Sequence, residues 1–86
     1  MININKVLTE IKRLTNINIL RKDRSKNTVL LRKAVSIALR AEGYSYPEIG
    51  RILNQDHSTI MYSVSKSLED NPYFGIVKDV FSTACV

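Results

Sequence analysis

The only histidine of this 86-residue chain, His57, sits in the run Gln55-Asp56-His57-Ser58-Thr59-Ile60, for which three kinds of chemistry are conceivable. Metal binding fails on supply, because the sole cysteine, Cys85, lies next to the C-terminus and no second histidine exists. Nucleophilic catalysis has its residue types in Asp56-His57-Ser58. Consecutive residues at a helix start point in different directions, however, and cannot form a chain in which each group orients the next. Hydrogen-bonding recognition remains. Asp56 is a good helix N-cap, able to accept an orphan N–H of the first turn. His57, Ser58 and Thr59 then crowd the tip of a new helix, each with a small hydrogen-bonding group.

The segments around this run are those needed to hold such a tip. Ser45, Pro47 and Glu48 mark a helix start by capping box and early proline. Ile49, Ile52 and Leu53 give that short helix an apolar side, and Gly50 allows close approach by a neighbouring helix. Asn54-Gln55 form a turn. The helix after Asp56 carries the stripe Ile60, Val64 and Leu68. At roughly 100° per residue, Ser58, Thr59, Tyr62, Ser65 and Lys66 lie opposite that stripe. A short helix, a tight turn and a second helix whose first residues are polar is how a helix-turn-helix presents side chains to base edges in the major groove. On the same wheel His57 falls nearer the apolar side, so a packed, hydrogen-bonded core histidine stays open beside base contact.

Further out, Ile4, Val7, Leu8, Ile11 and Leu14 form the stripe of an amphipathic helix interrupted at Thr15-Asn16. Asn18 can cap a short turn through Ile19 and Leu20, and Arg21 to Lys26 is an apolar-free loop. A second long helix begins near Asn27 or Thr28 and ends at Gly43. Its core side holds Leu31, Ala34, Val35, Ala38 and Leu39, and its polar side Arg32, Ser36 and Arg40 with Lys33 adjacent. After Asn71-Pro72, Tyr73 to Thr83 is a last helix with Phe74, Val77, Val80 and Phe81 inward. No β alternation or internal repeat is evident. Residues 1–86 are expected to be a single all-α domain, a compact bundle of about five to six helices.

Charge is segregated. Residues 12–40 hold nine bases and one acid, a net +8, while the remainder holds four bases and seven acids, a net −3. A basic wall of this kind faces a polyanion; a solvated face that only aids solubility is the other reading. No apolar run approaches the roughly 20 residues of a membrane span, and the first residues carry no basic-then-apolar signal pattern. The lone cysteine precludes an internal disulfide and fits a reducing cytoplasm. The three glycines, Gly43, Gly50 and Gly75, form no phosphate-cradling loop. Neither enzyme activity, bound nucleotide, metal nor other cofactor is expected.

Residues 24–68 resemble the C-terminal DNA-binding domain of the bacterial replication initiator DnaA. The likeness rests on Arg24-Ser25, the helix from Arg32 through Arg40, Tyr46-Pro47-Glu48-Ile49-Gly50, and Asp56-His57-Ser58-Thr59. The flanks fit as well: Ile4 to Leu20 resembles the connecting helix and short turn before that domain, and Tyr73 to Thr83 its final helix. The resemblance implies a Trp-repressor-like helix-turn-helix with double-stranded DNA as partner. Asp56, His57 and Ser58 match base-reading positions: an aspartate accepts from a cytosine amine, and a histidine or small hydroxyl residue packs on a thymine methyl. Arg24 matches an arginine reaching into the adjacent minor groove. Thr59, Arg32, Lys33, Arg40, Pro47 and Lys66 match backbone-contacting positions, and Tyr62 joins them where the family usually has histidine.

Three departures modify what the resemblance implies. Asn54-Gln55 replace a Gly-Gly-Arg, which shortens the turn by one residue, removes an arginine and shifts the preferred site away from the family's A·T-rich nonamer. Ser58 lacks the methyl of the usual threonine. No ATPase domain precedes the module in this chain, so a freestanding DNA-binding protein, of the kind a phage or mobile element encodes, is expected. It would act in the cytoplasm at initiator-type boxes, modulating replication initiation or local transcription. A repressor with an unrelated operator stays open. So does an interaction module that binds a replication protein near Glu69, Asp70 and the last helix.

Overall fold

The computed structural model describes residues 3–20, 25–64 and 71–84. Among them are five helices and no strand: α1 (Ile4–Thr15), α2 (Lys26–Ala41), α3 (Tyr46–Leu53), α4 (His57–Val64) and α5 (Phe74–Ala84). The all-helical expectation holds. Among these residues no helix is long and apolar enough to cross a membrane.

Helix α2 is the spine, packing against α3, α4 and α5, while α1 lies against α5 and α3 against α4. The core draws on every helix: Val7 and Ile11 from α1, Leu31, Val35 and Leu39 from α2, Ile49 and Leu53 from α3, Ile60 from α4, and Val77, Val80 and Phe81 from α5. Each such side chain contributes about 1.5–3 kcal/mol by leaving water. The periodic stripes therefore set most of the inward faces, but Leu14, expected in the α1 stripe, is 50% exposed, and Phe74, expected inward, is only half-buried.

Local chemistry fixes the helix ends. Asn3 caps α1 through Oδ1, which accepts from Lys6 N–H at 3.1 Å. The helix closes on Asn16 at φ 57°, a left-handed position asparagine tolerates. Gly43, at φ 100°, follows α2 as expected. The start of α2 differs from the sequence expectation: the N-cap is Ser25, and Thr28 is buried one turn inside, its hydroxyl accepting from Ser25 Oγ at 2.9 Å. Ser36 is likewise buried at 1% exposure rather than on the polar side. Its hydroxyl donates to Arg32 C=O at 2.8 Å, so a small polar group enters the core without an unmet hydrogen bond.

Between α1 and α2 the chain is tied back. Arg32 Nε donates to Ile19 C=O at 2.8 Å, and Ile19 itself is buried. At the far side, Asn71 Nδ2 donates to Leu30 C=O at 2.8 Å, and its Oδ1 accepts from Tyr73 N–H at 2.9 Å. One asparagine thus anchors the approach to α5 on the middle of the fold.

Candidate nucleic-acid interface

The α3–α4 unit is set by its caps and by one glycine. Ser45 and Glu48 form the reciprocal capping box: Ser45 N–H donates to Glu48 Oε1 at 3.0 Å, and Glu48 N–H to Ser45 Oγ at 3.4 Å. The bond from the Ser45 backbone N–H, then that with its side chain, holds the Glu48 carboxyl below its usual pKa. At the other end α3 stops on Asn54 at φ 57°, ψ 43°. Gln55 N–H returns to Gly50 C=O at 2.8 Å. A Cβ on Gly50 would lie 2.6 Å from Gln55 O and 3.4 Å from His57 N, so only glycine lets the turn and the start of α4 close onto α3.

Asp56 then starts α4. Its carbonyl accepts from Ile60 N–H at 3.2 Å, and Oδ1 accepts from Ser58 N–H at 3.3 Å. Oδ2 keeps its accepting capacity, with no partner among the described residues. His57 Nδ1 lies 3.3 Å from Asp56 Oδ1, an ion pair when the imidazole is protonated, and the two side chains are 57% and 69% exposed. A core histidine is therefore ruled out. Ser58 and Thr59 are exposed beside it, and Tyr62 one turn on is 67% exposed. Ile60, buried at 2%, anchors the opposite face, with half-buried Val64 against the same core.

The structure brings part of the expected site together. Pro47, Asp56 and His57 line one shallow concavity with Gly50, Arg51, Asn54 and Gln55. Arg40 reaches the same region from the end of α2. Its Nη1 donates to Tyr44 C=O at 3.1 Å, and its guanidinium carbon lies 4.8 Å above the Tyr46 ring, next in sequence to Pro47. Lys33 is half-buried on α2, and Arg32 is engaged at Ile19. Arg24 and Lys66, like Ser65, Leu68, Glu69 and Asp70, fall outside the described residues. Arg51 was not among the expected site residues; its position four residues after Pro47, on the same side of α3, was the available signal. Among the described residues no group of three or more His, Cys, Asp or Glu side chains could hold a metal ion.

A capped helix, a left-handed asparagine turn over a glycine and a second helix with an exposed polar tip define a helix-turn-helix protein. The family described as the bacterial DnaA protein helix-turn-helix matches residues 1–66, and the chain belongs to it. It is a DNA-binding family, and double-stranded DNA is the partner it supports. No curated protein and no solved structure matches the chain.

Proposed function

We propose that this protein binds initiator-box-like sites in double-stranded DNA and thereby regulates replication initiation. The exposed Asp56–Thr59 tip carries the reading: there a capped helix end, seated by Gly50, offers consecutive polar side chains beyond the fold. In this reading Asp56, His57 and Ser58 meet base edges in the major groove, and Arg24 enters the neighbouring minor groove. Thr59, Arg32, Lys33, Arg40, Pro47, Tyr62 and Lys66 hold the backbone. Nothing in these roles calls for catalysis or a cofactor. Phosphate contacts supply affinity and fix orientation, and the base contacts supply the choice of site.

An electrophoretic shift against initiator-box and scrambled duplexes at about 150 mM salt tests this, with clear preference for the box expected. Equal affinity for the two would defeat site specificity. His57→Ala should mainly erode discrimination, by about tenfold, whereas Arg40→Ala should weaken both duplexes and flatten the salt slope by about one. Selection from a random duplex library that returned an unrelated motif would keep DNA binding and move the role to an operator elsewhere.

A further inference from the structure

The concavity between α3 and the α4 tip has a single arginine or lysine in its lining, Arg51. Arg51 is exposed; its guanidinium has no hydrogen bond or ion pair with any described residue, and its charge is felt by the Glu48 carboxylate one turn before it. The described part of α4 contains no lysine or arginine, the turn Asn54-Gln55 is uncharged, and the tip opens with the Asp56 carboxylate. A carboxylate carried into a groove flanked by phosphates is repelled by them, so the docked tip needs a cation close by. In helix-turn-helix docking the first helix crosses the backbone while the second enters the groove. The strand bordering the groove thus runs past the surface between the two helices, where Arg51 stands.

We propose that Arg51 contacts DNA, its guanidinium gripping backbone phosphates of the strand that borders the groove occupied by the α4 tip. An arginine suits this place because its planar fork donates two parallel bonds to one phosphate. The contact offsets the repulsion that Asp56 brings and fixes how deeply the tip sits. It belongs to α3, not to the turn, so it is unaffected by which bases the tip reads. The proposal rests on the DNA-binding reading above.

The test is the dependence of affinity on salt for Arg51→Gln and Arg51→Lys, on initiator-box and scrambled duplexes, with thermal melts to show that both variants fold. Arg51→Gln should bind both duplexes about five- to tenfold more weakly at about 150 mM salt, with a log–log slope shallower by about 0.9. Arg51→Lys should restore the slope, since a lysine keeps the charge. An Arg51→Gln protein with unchanged slope and affinity, alongside an Arg40→Ala protein that loses both, would overturn the role of Arg51 and leave the DNA-binding reading standing. Failure of the unaltered protein to shift any duplex at about 50 mM salt would overturn both.

Discussion

In the proposed reading, Asp56 serves structure and recognition through different oxygens of one carboxylate. Oδ1 takes Ser58 N–H, and Oδ2 has no hydrogen-bond partner among the described residues. The two roles separate by substitution. Asp56→Asn keeps an acceptor for the cap, so its melting midpoint should stay near that of the parent, yet its bound-site preference should change at the base that a carboxylate would contact. Asp56→Ala should lose both, with a stability loss of about 0.5–2 kcal/mol from the missing cap. An Asp56→Asn protein that selects an unchanged site would remove Asp56 from base reading. Glu48 gives a pH signature. Its folded pKa lies below the ordinary 4.5, so its stabilisation is complete above that value and is lost as pH falls through the folded value. The gap in melting midpoint between the parent and Glu48→Gln should be widest near neutrality and close on acidification. These caps were legible in the sequence because each depends on residues at most three apart. The burial of Ser36 and Thr28 and the bond from Arg32 to Ile19 were not. Periodicity counts a serine as polar, and nothing local shows that its hydroxyl will bond back four residues or that an arginine will tie down a carbonyl thirteen residues earlier.

At the level of helices, the α3–α4 angle hangs on Gly50. Replacing it with alanine puts a methyl carbon 2.6 Å from a backbone oxygen that belongs to a turn already committed to Asn54. The turn must open, and with it the placement of the α4 tip. Gly50→Ala should destabilise by about 1–3 kcal/mol and abolish site preference together. Gly75 is the control. It lies in α5, is exposed and has nothing within 4 Å of an added Cβ, so Gly75→Ala should stabilise by about 0.5–1 kcal/mol. Urea denaturation of both variants checks the pair, and opposite signs are required. The sequence suggested close approach at Gly50, because a glycine inside a short helical pattern invites that reading. It could not say that the approaching group is the backbone of the turn itself, since that follows from the fold of the whole unit.

At the scale of the molecule, the family match ends at residue 66, yet the core does not. Helix α5 lies beyond the match and places Val77, Val80 and Phe81 among the side chains of α1 and α2, while Asn3 N–H reaches Ala84 C=O at 3.4 Å. The helix that carries the Asp56–Thr59 tip is therefore braced by α2, and α2 is braced in turn by α5. Phe81 is 6% exposed, and truncating a buried phenylalanine to alanine costs about 3–5 kcal/mol. A chain this small has about 5–10 kcal/mol of stability in all, so Phe81→Ala should leave a large unfolded fraction at 37 °C. If α5 acts only through stability, the folded fraction should bind with unaltered site preference and salt slope, and cooling should restore affinity as it restores structure. Parallel denaturation and binding titrations at two temperatures make the comparison. Loss of site preference in fully folded Phe81→Ala protein would show that α5 shapes the DNA-facing surface directly and that the interface extends beyond the helix-turn-helix.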